Sequence, residues 1–403
     1  MKKGLLAGIG INVLLLGVVS FLTDVSSEMM LPILPMFITA LGGTAFAVGL
    51  IGGLGDSVAS ILKVFSGYWS DRYGRRKPFV FSGYVVSSVA KLFLAFSTLW
   101  QHVLIVRSVE RIGKGLRDAP RDAIIADSSA TQVRGTAFGI HRAMDTAGAL
   151  LGSLLAFLLY WSLGLEFKTI LLICAIIAFF ALVPFYRVRE VKREPQKVSL
   201  SISFKALPRE LRWFVLIAAI YALGNFTYMF FVLRAQDFFK ETGVVSQPEA
   251  MAILLYVLYN TVYTLFSIPV GILSDRIGRR RVLLVGYLLF GLTCLGFAFL
   301  ESLVAFIILF ALYGLVYALV EGTQRAFISD LAPEGIRGTA LGTLHTCVGL
   351  VALPAGLIAG ALWEYIDPGA TFIYGGVLGL TAAVLLKVCL KQRANHEPSS
   401  VLR

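Results

Sequence analysis

The stretch Gly67–Lys77 reads GYWSDRYGRRK, and it returns as Gly271–Arg281, which reads GILSDRIGRRR. The aspartates of the two stretches, Asp71 and Asp275, stand 204 positions apart. Each copy places a glycine and an aspartate ahead of a run of basic residues, and each follows a long apolar run. A pattern of this length, repeated at half the length of the chain, indicates an internal duplication.

A second pair of segments supports the duplication. Asp127–Gly139 reads DSSATQVRGTAFG and Asp330–Gly342 reads DLAPEGIRGTALG, with 203 positions between Asp127 and Asp330. Two motifs that recur at almost one spacing indicate two halves in parallel orientation.

The composition excludes most classes of soluble protein. Of the 403 residues, 57% are hydrophobic and only 15% are charged, and the formal net charge is +12 at pH 7. A soluble domain carries about 25% charged residues, and a disordered chain combines low hydrophobicity with unbalanced charge. A nucleic-acid-binding protein displays its basic residues on a polar surface that this chain mostly lacks. We therefore expect an integral membrane protein that is surrounded by a lipid bilayer and binds no nucleic acid.

Twelve apolar runs are long enough to cross a bilayer, which takes roughly 20 residues. These predicted spans 1 to 12 cover residues 5–39, 44–66, 78–99, 102–126, 135–161, 167–186, 211–239, 250–271, 281–300, 302–328, 338–363 and 369–390. The first run resembles a signal peptide, but it continues past a normal apolar core and lacks a convincing cleavage site. We interpret it as a retained helix and expect an all-α membrane fold.

The distribution of basic residues predicts the orientation of the spans. Lysine and arginine gather in the loops that follow even-numbered spans and in the polar stretch 187–210. Because short cytoplasmic loops carry the excess of these residues, both termini and this linker should be cytoplasmic. We expect one bundle from residues 1–186, a second from 211–390 and a cytoplasmic tail at 391–403, in the cytoplasmic (inner) membrane of a prokaryote.

With its paired motifs, the sequence resembles the major facilitator superfamily of transporters over essentially its whole length. The family's loop signature, Gly-x-x-x-Asp-Arg-x-Gly-Arg-Arg, is matched first by Gly67, Asp71, Arg72, Gly74, Arg75 and Arg76, and again by Gly271, Asp275, Arg276, Gly278, Arg279 and Arg280. The resemblance implies twelve helices in two pseudo-symmetric six-helix bundles that rock around a central cavity. We predict that these loop residues act in gating; the alternative is that the basic ones only enforce topology.

Two further family signatures are kept only in part. In span 4, Arg107 matches Arg-x-x-Gln-Gly-x-Gly, whereas Glu110 replaces the glutamine and Arg111 replaces a glycine. The resemblance implies a role for Arg107 in proton coupling. In span 5, Gly148 and Gly152 match a family signature associated with antiporters, but other positions of that signature are altered. The simplest role of these two glycines is close helix packing.

Ionisable residues inside the predicted spans mark the candidate functional site, because each costs at least roughly 2.5–3.5 kcal/mol to insert. Asp24 and Glu28 share one face of span 1. The densest stripe lies in span 4 and consists of Arg107, Glu110, Arg111 and Lys114. These charges are either structural pairs or cavity groups that bind and release protons. The predicted proton-coupling residues are Asp24, Glu28, Asp56, Arg107 and Glu110, with Asp24 as the first choice.

Polar residues of other spans complete the candidate cavity and its gate. The predicted substrate contacts are Arg111, Lys114, Asn225, Tyr228, Tyr259, Asn260 and His345. The further predicted gate elements are His141, Arg142, Asp145, Glu321 and Arg325. Packing is the alternative role for the two tyrosines, and a structural hydrogen bond is the alternative for His345.

We favour proton-coupled export of a small organic solute, a drug or a metabolite, by a monomer. The alternatives are transport of a divalent transition metal or its chelate, import of an organic anion through the arginines, and a receptor or scaffold with a transporter fold. Donors suited to a metal are dispersed and the four cysteines occur singly, so we predict no metal site. The sequence holds no GxSxG, GxxxxGK[ST] or HExxH motif, so we expect neither an enzyme nor a cofactor.

Overall fold

The computed structural model describes residues 10–130, 133–190, 207–333 and 336–390. Within them the chain forms fifteen helices, which are α1 Ile11–Met30, α2 Leu34–Ala40, α3 Ala45–Tyr73, α4 Lys77–Ala95, α5 Trp100–Asp127, α6 Arg134–Trp161, α7 Phe167–Phe180, α8 Leu182–Tyr186, α9 Arg209–Gly224, α10 Met229–Thr242, α11 Pro248–Ile277, α12 Arg279–Phe299, α13 Leu303–Leu331, α14 Arg337–Tyr365 and α15 Pro368–Cys389. Within the described residues every one of the twelve predicted spans is mainly helical, and three consist of two helices each: α1 with α2, α7 with α8, and α9 with α10. Positions 5–9 of the first predicted span lie outside the described residues. The tail and most of the predicted linker lie outside the described residues.

The fourth predicted span differs from the rest in composition. Eleven helical segments of the described chain are long and apolar enough to cross a membrane, and they correspond to every predicted span except α5. α5 has 28 residues, which is long enough to cross, but it carries the charged stripe. Such a stripe has to be covered by other helices, and α5 packs against α3 and α4.

Two breaks in the helices bring the halves of the chain together. α1 ends at Met30, ahead of a proline-containing turn that lacks one backbone donor, and the chain resumes as α2. α9 ends at Gly224, and the short turn that follows places Tyr228 at the start of α10. The Tyr228 hydroxyl donates a hydrogen bond of 3.0 Å to the carbonyl oxygen of Leu31, which the first break leaves outside the helix. Each break therefore supplies one partner of this contact.

The helices pack as two bundles with matching contacts between them. In the first half α1 packs against α6 and α7, and α4 against α5 and α7; in the second half α12 packs against α13 and α15, and α11 against α13. Between the halves, α3 packs against α14 and α6 against α11. The sequence repeat makes α11 the counterpart of α3 and α14 the counterpart of α6, so these two contacts are equivalent by pseudo-symmetry. The exact division at residues 1–186 and 211–390 stays a prediction.

The interface is closed at one end. We call the end that carries the Asp71 and Asp275 turns the motif end, and the other the closed end. Near the closed end, Gly49 of α3 and Gly356 of α14 approach so closely that a Cβ atom on either would overlap the carbonyl oxygen of the other. About two helical turns further from that end, the Ser57 hydroxyl donates a hydrogen bond to a backbone carbonyl of α14. Glycine lets the two helices touch backbone to backbone there.

The motif end of the interface is open. Among the described residues, nothing lies within 4 Å of a Cβ atom built on Gly139 of α6, Gly271 of α11 or Gly338 of α14. Glycine thus lines both ends of the contact between the bundles, with close approach at one end and free space at the other.

Leucine in place of Gly356 should destabilise the protein by forcing α14 away from α3. We expect a loss of about 1–3 kcal/mol in the free energy of unfolding, the range typical of overpacking, measured by thermal unfolding of the purified protein in detergent. Gly139→Leu is the matched control, because its side chain enters free space, and it should change the free energy by no more than about 0.5 kcal/mol. Equal losses in the two variants would contradict the close approach.

Candidate functional site

A cavity lies between the bundles. We call the portion nearer the motif end the outer portion, with a volume of about 540 Å³, and the deeper one the inner portion, with about 470 Å³. Both portions are lined by Asp24, Lys114, Arg142, Asp145, Tyr263, Tyr317 and Glu321. These shared residues make the two portions one continuous space that draws side chains from α1, α5 and α6 on one side and from α11 and α13 on the other.

Both arginines of the α5 stripe are paired with acids of the first bundle. The Arg107 guanidinium donates to a carboxylate oxygen of Glu110 at 2.6 Å, and both side chains are almost completely buried. Arg111 forms an ion pair with Asp56 of α3. Pairing inside the bundle, the structural alternative for these charges, accounts for both contacts.

Lys114 of α5 differs from these arginines. It lines both portions of the cavity, and within the described part of the chain its ammonium group has no hydrogen bond and no carboxylate within ion-pair distance. It is therefore the cation of the stripe that remains available to a solute.

Two carboxyl groups from neighbouring helices meet in this cavity. Asp24 of α1 and Asp145 of α6 come within hydrogen-bonding contact of each other. Two carboxylates at this separation repel each other unless one proton lies between them. The charged and titratable groups around the pair are Glu28, Lys114, Arg121, His141 and Arg142. The pair offers a place where a single proton can be held.

Arg142 connects this pair to the second bundle. Its guanidinium lies 3.0 Å from the Asp145 carboxylate, donates to the Tyr263 hydroxyl at 2.5 Å and lies 3.8 Å from the Glu321 carboxylate. The Tyr263 hydroxyl donates in turn to Glu321, which also pairs with Arg325 at 2.6 Å. A continuous polar chain thus runs from an acid of the first bundle to an acid of the second.

Glu28 makes a second polar connection between the bundles. Its carboxylate accepts hydrogen bonds from the Tyr256 hydroxyl at 2.9 Å and from the Asn260 amide at 3.0 Å. Both donors are on α11, and both are neutral. In the described residues no cation lies within ion-pair distance of Glu28.

Tyrosine rings form the wall of the inner portion on the side of the second bundle. The ring centroids of Tyr228 and Tyr256 are 5.5 Å apart, and those of Tyr256 and Tyr259 are 5.4 Å apart. Tyr317 of α13 meets Tyr259 edge to face at 5.4 Å. The cavity therefore has an ionic wall from the first bundle and an aromatic wall from the second.

The two signature turns form matching ion-pair triads. The Arg76 guanidinium lies 2.9 Å from Asp71 and also pairs with Asp127. In the second half, the Arg279 guanidinium lies 3.3 Å from Asp275 and 2.6 Å from Asp330. Each triad ties the end of one span to the end of another. Among the described residues, Asp71 and Asp275 form ion pairs with these arginines of their own bundle.

The triads correct the residue-by-residue alignment of the two signatures. Sequence alone matches Arg279 to Arg75, but its structural counterpart is Arg76. Arg76 donates to the Ala123 carbonyl oxygen and Arg279 to that of Ala326, both pairs being 47 positions apart. One residue is missing from the second turn, between Asp275 and Arg279. This deletion explains why the first motif repeats after 204 positions and the second after 203.

The family assignment follows from comparison with known proteins. The family model described as Major Facilitator Superfamily matches residues 16–246 and 214–401 of this chain. The chain belongs to the major facilitator superfamily. Its family and fold are those of membrane transporters, as the repeated loop signature implied.

Relatives of this transporter match it over nearly their whole length. The chain is 51% identical to the uncharacterized MFS-type transporter MJ1317 of Methanocaldococcus jannaschii over 381 residues, which are 93% of this chain and 94% of that protein. It is 24% identical to the multidrug resistance protein MdtH of Aeromonas hydrophila subsp. hydrophila over 376 residues, or 90% of each. The crystal structure of the nucleoside transporter NupG aligns with a TM-score of 0.79 at 15% identity over 95% of this chain and 100% of that one, a likeness of fold alone.

Several predicted site residues lie away from the solute space. Asn225 lines a smaller recess of about 260 Å³ that shares Asp56, Tyr228 and Tyr317 with the inner portion, and His345 lines neither portion of the cavity. His141 lines the outer portion, where its ring shares a hydrogen bond of 2.9 Å with Ser20. Arg72 lies on the surface and donates to a tyrosine one helical turn earlier. The remaining cavity candidates, Arg111, Lys114, Tyr228, Tyr259 and Asn260, line the inner portion.

Sequence reasoning missed Lys91 of α4. This side chain is only 1% exposed, and its ammonium group donates to the hydroxyls of Ser26 and Ser27 of α1 at 2.8 and 2.9 Å. A lysine within an otherwise apolar predicted span was a signal that could have found it. It fastens α4 to the segment of α1 that lies between Asp24 and Glu28, and so helps to aim both acids.

Three cavity tyrosines were missed as well. Tyr256 and Tyr263 flank the predicted Tyr259 on one face of α11, and Tyr317 faces them from α13. Positions 256, 259 and 263 follow helical spacing, so the first two could have been found from the sequence. The partner on α13 becomes visible only when the helices are assembled.

The triads predict which arginine of each signature is structurally required. Arg76→Gln should lower the free energy of unfolding by about 1–3 kcal/mol, because it removes the charged group that pairs with both aspartates. Arg279→Gln should lower it less, since that side chain is 27% exposed against 13% for Arg76. Arg75→Gln, at the surface, is the matched control and should leave the unfolding temperature in detergent nearly unchanged. A loss for Arg75→Gln as large as that for Arg76→Gln would contradict the corrected alignment.

Proposed function

We propose that this transporter works by alternating access and exports a small organic solute in exchange for protons. The observation that carries the proposal is a charged cavity between two bundles, sealed at one end by contact between glycines and open at the other. A protein that presents its cavity to one side only needs a second state to release a solute on the other side. The glycines exposed at the motif end supply the surface on which that second state can close.

The predicted orientation assigns this conformation to one step of the cycle. The motif end carries the basic loops, so the positive-inside rule places it in the cytoplasm. The cavity then faces the cytoplasm, as it must when an exporter takes up its solute. Closing the motif end would bring Gly139 toward α11 and Gly338 toward α3.

The contact between Asp24 and Asp145 supports coupling to protons. Asp145 holds Arg142 from the first bundle, and Tyr263 and Glu321 hold it from the second. A proton taken up by the acid pair reduces its negative charge, so its attraction for Arg142 weakens. Arg142 is then held mainly by the second bundle. Proton binding and the contact between the bundles are linked through this one guanidinium group.

Export of an organic solute is favoured over the alternatives. A relative over most of the chain is named as a multidrug resistance protein. The described residues contain no group of three or more His, Cys, Asp or Glu side chains that could hold a metal ion. Import of an organic anion would require arginines in the cavity that can bind it. Arg107 and Arg111 are already paired with acids, so this alternative is less favoured.

We also propose that the chain works as a monomer in the cytoplasmic membrane of a prokaryote, with both termini in the cytoplasm. Bacterial and archaeal relatives support the type of cell. The basic loops at the motif end support the orientation.

Asp24→Asn should abolish proton-driven transport and retain solute binding. Asparagine keeps the size and hydrogen-bonding ability of the side chain but cannot release a proton. The test needs a solute, identified as one that raises the unfolding temperature of the purified protein in a panel of drugs, organic anions and metal salts. Proteoliposomes with a pH-sensitive dye in the lumen then report the proton movement that a gradient of this solute drives.

The control for this variant is Glu301→Gln. Glu301 is also ion-paired, with Arg234, but its side chain is 63% exposed and it does not line the cavity. Glu301→Gln should move protons as the unchanged protein does. If Asp24→Asn still shows solute-driven proton movement, Asp24 has no role in the coupling mechanism. If the unchanged protein shows no solute-driven proton movement, proton coupling is refuted altogether.

A further inference from the structure

The charged groups of the inner portion do not all have the same freedom to bind a solute. Nine charged side chains line it, and five of them are acidic: Asp24, Glu28, Asp56, Asp145 and Glu321. The four bases are Arg107, Arg111, Lys114 and Arg142. The three arginines are ion-paired with acids, as described above. Among the described residues Lys114 is the cation without an ion-pair partner, and Glu28 and Asp24 are the acids without one; Asp24 is in hydrogen-bonding contact with Asp145 instead.

Glu28 is surrounded by aromatic rings as well as by hydrogen-bond donors. Tyr228, Tyr256 and Tyr259 line the inner portion together with Glu28. The hydroxyl of Tyr256 is bonded to Glu28 itself, and that of Tyr228 to the carbonyl oxygen of Leu31. These bonds fix both rings, so the aromatic surface beside the carboxylate is held in place before a solute binds.

A carboxylate next to several tyrosine rings is suited to one chemical class of solute. The face of an aromatic ring attracts cations, and cages of aromatic rings bind quaternary ammonium groups. The carboxylate adds negative charge, and both of its hydrogen-bond donors are neutral, while Lys114 acts on it only from beyond ion-pair distance. An inorganic cation would need more oxygen ligands than this one carboxylate provides, whereas an organic cation also buries its apolar groups on the rings.

The position of Lys114 limits the alternatives. Lys114 is the cation without an ion-pair partner among the described residues, and it could hold an anion. Of the acids that lack an ion-pair partner there, Glu28 is the one bonded to a ring of the aromatic wall. A positive group at that wall is attracted by the carboxylate and by the ring faces together. The volume of about 470 Å³ is within the range of sites for drug-sized molecules.

We propose that Glu28 and the rings of Tyr228, Tyr256 and Tyr259 form the binding site for an organic cation, an amine or an onium group that carries apolar substituents. This inference rests on the proposed transport function and names the class of solute. The charge of the solute is bound by the carboxylate of the first bundle and its apolar part by the tyrosines of the second. Such a solute contacts both bundles at once.

The test compares two probes of the same shape and opposite charge. Tetraphenylphosphonium and tetraphenylborate differ mainly in the sign of their charge, and their binding to the purified full-length protein in detergent can be measured by equilibrium dialysis. We expect the phosphonium to bind more than about tenfold more tightly than the borate, because of the carboxylate. Equal affinities, or tighter binding of the borate, would overturn the inference.

Variants separate the charge of the site from its rings. Glu28→Gln should weaken phosphonium binding more than about tenfold, whereas the exposed control Glu301→Gln should not change it. Tyr259→Leu should weaken binding by about tenfold, and Tyr259→Phe should preserve it, because the ring and not the hydroxyl attracts the cation. The unfolding temperature of each variant shows whether it is folded. Undiminished binding in folded Glu28→Gln would refute the role of the carboxylate, and equal losses in both Tyr259 variants would refute that of the ring.

The outcomes also distinguish this inference from the proposed function. If an anionic or neutral solute drives proton movement in proteoliposomes while tetraphenylphosphonium does not bind, proton-coupled transport stands and the cation site falls. If tetraphenylphosphonium binds as expected but neither it nor any other solute drives protons, the cation site stands and proton coupling falls.

Discussion

The cost of exposing charge to hydrocarbon determines where the helices of the first bundle lie. α5 carries a stripe of arginine, glutamate and lysine through the depth of the membrane, and each such group on a lipid-facing surface costs at least roughly 2.5–3.5 kcal/mol. The stripe must therefore face other helices or water. α3 supplies Asp56 to Arg111, and Glu110 pairs with Arg107 inside the helix itself. What remains of the stripe, Lys114, faces the aqueous cavity. The location of the cavity beside α5 follows from this constraint.

The same constraint shows how far sequence reasoning reaches. The twelve spans could be predicted from apolar runs alone, because a bilayer of fixed thickness imposes a length on every crossing. That Asp24, Glu28 and most of the α5 stripe line the cavity could be predicted from their spacing, whereas Glu110 of the same stripe lines neither portion of it. The partners of these side chains could not be predicted, since Asp24 meets Asp145 of a helix more than a hundred residues away. Lys91 could have been found as a single charge within an apolar span, but its partners on α1 could not. It is satisfied by two serine hydroxyls, which no charge-pairing rule would have suggested.

The turn motifs illustrate another limit of sequence comparison. The signatures GYWSDRYGRRK and GILSDRIGRRR align without a gap, yet the functional match between Arg76 and Arg279 requires one. The two turns differ in geometry: Gly74 has a φ of 63° and is followed by two residues before α4, whereas Gly278 has a φ of 95° and is followed at once by α12. Both turns place a guanidinium group beside equivalent aspartates, which are Asp71 and Asp127 in the first half and Asp275 and Asp330 in the second. The two halves therefore share the ion-pair triad, although the turns that carry it differ by one residue in length.

The duplication preserved helices but not the chemistry of the cavity. With the spacing of 203 positions, Glu110 of α5 corresponds to Tyr313 of α13, and Lys114 corresponds to Tyr317. Equivalent positions that are ionic in the first half are thus aromatic in the second. A symmetric cavity would present the same wall to both sides of a solute, whereas this one offers charge on one side and ring faces on the other. Under the proposed function, a solute bound between unlike walls has to be released by both as the bundles move. A proton that reaches Asp24 and Asp145 alters the ionic wall alone. Arg142 pairs with Asp145 on one side and donates to Tyr263 on the other, so under the proposed function the change reaches the aromatic wall through this guanidinium group.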